Sequence, residues 1–596
     1  MTELLLVLVG GFVVIAAATL LAPRLRIASP LVLVAVGVAA SFIPLFADVE
    51  IDPEWILAGV LPPLLYSAAV SMPAMNFRRE FGAVSGLAVL LVVASSLILG
   101  VFFMLVIPDL GFAWGVALGA IVSPTDAVAT SIIKRTPVSK RVVAILDGES
   151  LLNDATALVL LRTAIVATAA SFSFWGAVGT FAYSVVVAVI VGAAVGWLNL
   201  WVRRRVTDPT VNTVISFAVP FVAAVPAELL GASGLVAAVV AGVVTGIRAP
   251  RVLSPQNRLS DSQNWRTVEL VLEGVVFLTM GLQISSIVTG VERDHAGVGT
   301  AVLIAVGALL LTILVRAAYV GPLLAVLSRR AKRMGRLQTR LQDIQQKIDG
   351  PGGGQAALAE LGRDRGRDRD RDRDRGRGPA ELEHRPTRPE RRAARTDRGP
   401  RPVTERQLDR FARRVRQGLA DVKYFLDQPL GWREGTAVVW AGMRGAVTVA
   451  AAQTLPENTP YRSTLVLIAF AVAALSLLVQ GGTIGPLLRL ISPPPAPGSD
   501  EAKAALAEEA AEQSQIFDLL RESTASIPEP PELRAGDRSP EVFDLAKRYR
   551  LEVLAAQREA LLDARDHGTF DADLLAQELA NLDASQIAME MRNRIG

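Results

Sequence analysis

Gly148-Glu149-Ser150-Leu151-Leu152-Asn153-Asp154 lies inside an otherwise apolar run, residues 140–168. At about 100° per residue on a helix, Glu149, Ser150, Asn153 and Asp154 fall within an arc of about 140°, and Leu151 and Leu152 point away. Glu149/Asn153 and Ser150/Asp154 are each i, i+4 neighbours. The stretch is therefore a polar face of two carboxylates, an amide and a hydroxyl on an apolar helix. Counted at about 1.5 Å per residue from Arg141, Glu149 lies about 12 Å and Asp154 about 20 Å along it, the latter near a bilayer midplane. A charge at that depth costs about 2.5–3.5 kcal/mol on insertion scales. Such residues need a partner or a function.

The surrounding chain supplies the membrane. Of 596 residues, 51% are hydrophobic and 20% are charged, and the mean hydropathy is +0.39. The average hides two compositions. Apolar runs fill 1–328 and 436–490, and charges crowd 329–435 and 499–596. That excludes one large soluble enzyme and a single-anchor protein. A crossing needs about 20 mostly apolar residues, which gives about thirteen spans. They run near 3–22, 30–47, 54–73, 81–107, 111–133, 140–168, 174–202, 211–229, 233–248, 266–289, 298–328, 436–454 and 462–490. Residues 211–248 admit another reading, because Pro220, Pro226, Gly231 and Gly234 interrupt them. The run 3–22 is read as a span rather than a signal peptide, since no positive region precedes it.

Lys and Arg in short loops set orientation. Loops after odd spans carry Arg24 and Arg26, Arg78 and Arg79, Lys134, Arg135, Lys140 and Arg141, then Arg203 to Arg205, and Arg248, Arg251, Arg258 and Arg266. Loops after even spans carry almost none. The N-terminus is therefore expected outside a plasma (inner) membrane, and the C-terminus in the cytoplasm. Four regions follow: spans 1–11 in 1–328, a cytoplasmic linker in 329–435, spans 12 and 13 in 436–490, and a cytoplasmic helical tail in 491–596. The linker starts helically at 329–349 and breaks at Pro351-Gly352-Gly353-Gly354. An Arg-Asp repeat then runs from Arg363 to Arg377. Alternating charge cannot bury a core and reads as disordered. A second amphipathic stretch, 404–426, returns to the membrane. The tail, 499–596, holds 21 acidic and 11 basic residues and splits near Pro528.

Other counts exclude chemistry. There is no Cys, so no thiolate nucleophile, disulfide or Cys-ligated metal. The three histidines, His295, His384 and His567, all lie outside the apolar runs. Histidine is thus not the intramembrane proton carrier. The net charge of +4 gives no sign of a nucleic-acid partner. No G-x-S-x-G, paired His or Cys nucleophile supports an intramembrane hydrolase.

Two more stretches break the apolar pattern. In Ser123-Pro124-Thr125-Asp126, the proline removes a backbone donor and disfavours helix before it. Unwound backbone at this depth belongs in protein or along a cavity, and Thr125 and Asp126 add oxygen ligands there. In Trp440-Ala441-Gly442-Met443-Arg444-Gly445, glycines flank an arginine that needs an anionic partner. Glu149 is the leading candidate. Breaks in corresponding spans of two inverted halves mark a transporter's midplane site. With span 7 as a linker, spans 5 and 12 correspond. The expected fold is an all-α integral membrane protein of two six-helix inverted repeats. Arg162 and Arg316 are expected to snorkel or pair locally. Glu273 is expected to face a polar neighbour or a cavity, with a structural ion pair as its favoured role, and with Ser123 is an accessory candidate. Hard oxygen ligands without His or Cys suit an alkali cation or a proton. A carboxylate removed from water holds a proton more readily, so it can alternate between proton and cation.

These residues resemble a known family. Gly148-Glu149-Ser150-Leu151-Leu152-Asn153-Asp154-Ala155 resembles the signature of the monovalent cation:proton antiporter-1 family, which includes NhaP-type antiporters and animal sodium/proton exchangers. Ser123-Pro124-Thr125-Asp126-Ala127-Val128-Ala129, Gly442-Met443-Arg444-Gly445 and Leu61-Pro62-Pro63-Leu64-Leu65 resemble three further motifs, in order. Val271-Leu272-Glu273-Gly274-Val275-Val276-Phe277 is a weaker match. The resemblance covers about 1–490. It implies a dimerisation domain and a mobile core, an elevator-like movement, and a homodimer. It implies that Asp154 binds Na+ and proton in turn, with Thr125 and Ser150 as ligands and Asn153 beside them. Glu149 would pair with Arg444. Asn153 before Asp154 resembles electroneutral one-for-one exchangers. Many relatives place a carboxylate shortly after Leu-Pro-Pro, whereas this chain has Tyr66-Ser67-Ala68-Ala69. The long Arg-Asp insert also departs from the family.

The expected function is a secondary antiporter exchanging Na+ for H+ across the membrane, with no cofactor beyond the transported ions. A K+/H+ antiporter and a cation channel of the same fold are the alternatives.

Overall fold

The computed structural model describes residues 2–25, 28–43, 54–126, 128–134, 136, 138–169, 174–293, 297–349, 405–493, 499–528, 530 and 540–591. The Arg-Asp repeat and its expected disorder lie outside them. Among the described residues every regular element is a helix. Eight helices among the described residues are long and apolar enough to cross a membrane: Met75–Val106, Lys140–Thr168, Val178–Arg203, Pro209–Leu229, Gly234–Val252, Pro255–Glu292, Val298–Gly335 and Arg462–Ile491. Leu8–Ala22, Ser29–Ser41, Trp55–Ser71 and Phe112–Val122 are shorter apolar helices.

The chain forms two compact units. One comprises Met1–Val326, Leu430–Leu562 and Ala572–Gly596, and the other Leu327–Pro429 and Asp563–Asp571. In the second unit the amphipathic helix Glu405–Asp427 buries Ala412, Val415 and Val422.

Small residues hold the membrane unit together. Helices in lipid gain nothing from hiding apolar surface from one another, so close backbone approach and dispersion drive their packing. Gly115 and Gly119, one turn apart on the helix Phe112–Val122, lie against the backbone of Gly100 and Ser96 on Val92–Val106. Gly242 and Gly246 meet the backbone of Tyr66 and Val70 in the same way. A methyl group at Gly119 would run into the Ser96 carbonyl.

The interrupted region 211–248 resolves into two helices. Pro209–Leu229 runs unbroken through Pro220 and Pro226, and the turn falls at Gly231, where φ is +71°. Asp208 caps the first helix by accepting from the Val211 and Thr210 amides, which holds its carboxyl below the usual carboxylate range. Several boundaries move. The span placed at 266–289 starts at Pro255, and the span placed at 298–328 continues as one helix to Asp349.

Some charges assigned to loops are buried. Arg141 is 2% exposed and pairs with Glu80, itself 1% exposed, at 2.6 Å. Arg203 is 1% exposed and bonds Asp261 and the Asn212 Oδ1. Hydropathy registers such an arginine as a loop charge, because the partner lies on a different element. The tail contains the helices Asp500–Thr524, Pro540–His567 and Ala572–Met591. The last packs on Pro255–Leu282, where Asp583 accepts from Arg258 at 2.5 Å and from Arg558 at 3.0 Å.

Gly119→Ala should lower the melting temperature of the detergent-purified protein, because overpacking at such a contact costs about 1–3 kcal/mol. Gly299 faces open space, so Gly299→Ala should melt at or slightly above the unsubstituted protein. Equal melting of the two variants would refute the close crossing.

Candidate functional site

Two helices are broken and their breaks meet. The first runs Phe112–Val122, unwinds, and resumes at Val128–Ile133. The second runs Trp432–Trp440, unwinds, and resumes at Ala446–Gln453. The Asp126 amide donates to the Met443 carbonyl at 2.8 Å, joining the two unwound segments. Asp126 Oδ1 accepts from the Val128 amide at 3.1 Å and so caps the second half of its own helix. A side chain at position 445 would collide with the Asp126 carboxylate, so Gly445 is a steric requirement.

Arg444 binds backbone rather than a carboxylate. It is 2% exposed. Its Nε donates to the Val122 carbonyl at 2.9 Å, and its terminal nitrogens to the carbonyls of Ser123, at 3.4 Å, and Gly442. The proline at 124 cannot donate, and these carbonyls would otherwise face a site without water. A cation at a helix C-terminus also complements the helix dipole. The Arg444 amide donates to Ser476 Oγ at 2.9 Å, and Gln480 Nε2 donates to the Trp440 carbonyl at 3.2 Å. Both breaks are thus satisfied by side chains.

The expected pair of Glu149 with Arg444 is therefore corrected. Glu149 is held in a fork by both terminal nitrogens of Arg316, one at 2.7 Å, on the helix Val298–Asp349. Arg316 is 2% exposed and does not snorkel. Its Nε also donates to the Val438 carbonyl at 2.8 Å, fixing the fork's angle. The planar guanidinium matches a carboxylate in two parallel bonds. Arg444, fully used by carbonyls, is not needed there. Arg162 is exposed and lies 3.5 Å from Glu228.

Thr125 ties the first break to the Glu149 helix. Its hydroxyl donates to Glu149 Oε1 at 3.2 Å and accepts from Asn153 Nδ2 at 2.6 Å. Asn153 Nδ2 also donates to the Thr125 carbonyl at 3.1 Å. Asn153 is fully buried, and its Oδ1 has no partner among the described residues.

A cavity of about 90 Å³ opens beside these groups. Asp154, Asp126, Thr125, Ser150 and Glu273 line it, joined by Glu269 and Thr448. One water needs only about 10–15 Å³ of such space, so the cavity has room for a small ion together with some of its water. Asp154 is 8% exposed and forms no hydrogen bond or ion pair among the described residues. Ser150 Oγ donates to the Asp147 carbonyl at 3.2 Å. Ser123 does not line the cavity: its hydroxyl lies 2.5 Å from Ser95 Oγ. Sequence reading singled out neither Glu269 nor Thr448 for the site. Glu269 stands at i, i+4 spacing from Glu273 on the helix Pro255–Leu282, a periodicity that could have flagged it. Thr448 lies on the resumed half-helix Ala446–Gln453, beyond the unwound Arg444, where no such periodicity pointed to it.

Removing one member of a buried pair costs about 3–5 kcal/mol. Arg316→Met should therefore sharply lower the melting temperature, and adding Glu149→Gln should recover part of the loss. Unchanged melting of the single variant would rule the pair out.

The geometry can be set beside known proteins. The sodium/hydrogen exchanger transmembrane family matches residues 11–342 and 414–490, passing over most of the charged linker. An uncharacterised Na+/H+ exchanger of Mycobacterium bovis is 26% identical across 98% of this chain and 96% of its own length. A sodium, potassium, lithium and rubidium/H+ antiporter of Bacillus subtilis is 30% identical across 45% of this chain and 41% of its own. The sodium proton antiporter of Methanocaldococcus jannaschii, solved at pH 8, superposes with a TM-score of 0.52 at 14% identity. That match covers 82% of this chain and all of the other, and shows a shared fold. The chain belongs to the sodium/hydrogen exchanger family, multi-pass membrane antiporters of monovalent cations and protons, and is not an enzyme.

Proposed function

We propose that this chain exchanges cytoplasmic Na+ for external H+, one for one, with both ions competing for Asp154. One observation carries the reading. Among the buried ionisable groups around the breaks, Glu149, Arg316 and Arg444 are saturated by protein, while Asp154 faces a small cavity with no hydrogen bond or ion pair among the described residues. A buried carboxylate in that position needs a proton or a cation to offset its charge. It holds either in turn. Thr125 and Ser150 supply further oxygens to Na+, with Asn153 fixing Thr125 and Asp126 opposite. The neutral Asn153 beside Asp154 leaves one exchanging acid on this helix, which supports electroneutral stoichiometry.

In this reading the chain crosses the membrane thirteen times. The eight long helices, the four shorter apolar ones and the broken helix 432–453 make up the count. Two six-span halves flank Phe174–Arg203 as inverted repeats, and the joined breaks at Asp126 and Met443 support that symmetry. The N-terminus lies outside the inner membrane, and the linker and tail lie in the cytoplasm. The core moves against a dimerisation domain in a homodimer, giving alternating access. K+ is the second candidate cation, favoured by the name of the Bacillus subtilis relative.

Everted vesicles energised by respiration test the assignment. Adding Na+ should collapse the proton gradient, read as fluorescence dequenching, and Asp154→Asn should abolish the response. Undiminished Na+-dependent flux in Asp154→Asn would overturn the site. Half-saturation at lower K+ than Na+ would reassign the cation.

A further inference from the structure

The cavity holds more carboxylate than exchange on Asp154 alone requires. Glu273 lines it from the helix Pro255–Leu282, is only partly exposed, and makes no hydrogen bond or ion pair among the described residues. Glu269, one turn earlier, receives a hydrogen bond from Ser67 Oγ at 3.4 Å. Asp126 already caps a half-helix. We propose that Glu273 is a second cation ligand, facing Asp154 across the cavity, and that its charge sets the preference among monovalent cations. The inference rests on the exchange reading above.

Three further observations support it. The wall formed by Leu61, Leu64, Leu65 and Ala68 is wholly apolar where it lines the cavity, so any second charged oxygen must come from elsewhere. Tyr66 and Ser67 on that helix do not line the cavity: Asn199 Nδ2 lies 3.5 Å from the Tyr66 hydroxyl, and Ser67 donates to Glu269 at 3.4 Å. Finally, Thr448 lines the same cavity, is 1% exposed, and its hydroxyl has no hydrogen-bond partner among the described residues. A buried orphan hydroxyl is costly in an empty site and is satisfied when an ion with its remaining water sits there.

The number and field strength of ligands govern alkali-cation choice. Each protein oxygen that enters the coordination shell replaces a water of hydration. Two carboxylates then repay the dehydration of a small, dense ion better than one does. Glu273 therefore biases the site toward Na+ and Li+ over K+.

The full-length protein in proteoliposomes tests this, with Na+, Li+ and K+ as probes. Glu273→Gln should keep Na+-coupled proton flux but raise half-saturating Na+ about tenfold, equivalent to about 1.4 kcal/mol. The Na+ over K+ preference should fall several-fold, and Glu273→Asp should lie between. Flux with unchanged half-saturation and unchanged preference in Glu273→Gln would overturn the proposal. Should that variant carry no flux, the Na+-dependent rise in melting temperature decides. A rise lost in Glu273→Gln and regained in Glu273→Asp supports the ligand, and an intact rise overturns it. Absence of cation-coupled flux in the unsubstituted protein would instead overturn the exchange reading itself.

Discussion

A peptide group inside a bilayer has no water to bond, so a helix can be interrupted at depth only where the protein supplies donors and acceptors. Arg444 is the main supplier here. Its guanidinium takes the carbonyls at the end of Phe112–Val122 and one from its own segment, and its amide is held by Ser476. With these bonds in place the two unwound segments can lie against each other, Asp126 amide to Met443 carbonyl. Without them, the half-helices would have to continue through Pro124 or leave carbonyls orphaned. The positions of Thr125 and Asp126 follow from this crossing.

The arrangement spends partners unevenly. Arg316 occupies both oxygens of Glu149, and Thr125 is divided between Glu149 and Asn153. These bonds stiffen the walls. Asp154, one residue after Asn153, is left facing open space. In the proposed exchange, rigid surroundings and the acids Asp154 and Glu273, unpartnered among the described residues, leave the charge balance to be completed by the transported ion.

The polar face of the 148–154 stretch was legible in sequence because it depends only on helical periodicity. The first break was legible because a proline marks it, and the second because glycines flank a buried arginine. The partner of Glu149 was not. Arg316 and Arg444 both lie deep in apolar runs, and choosing between them requires knowing how the helix Val298–Asp349 is rotated. No local residue pattern encodes that rotation. Arg141 and Arg203 misled in the opposite direction. Their positions at span ends read as solvated loop charge, yet Arg141 is paired with Glu80, 61 residues earlier, and Arg203 with Asp261, 58 residues later.

The contact between Arg258 and Asp583 spans 325 residues of chain. At a synthesis rate of about 5–20 residues per second, the arginine is made roughly 16–65 s before its carboxylate. In the meantime it has local acceptors, the carbonyls of Pro250 at 2.5 Å and Leu253 at 3.3 Å, both at the end of the helix just before it. The helix Ala572–Met591 therefore meets an arginine that already has local partners. Docking of that helix comes at least this interval after Arg258 is made, which makes the contact a late step in building the fold.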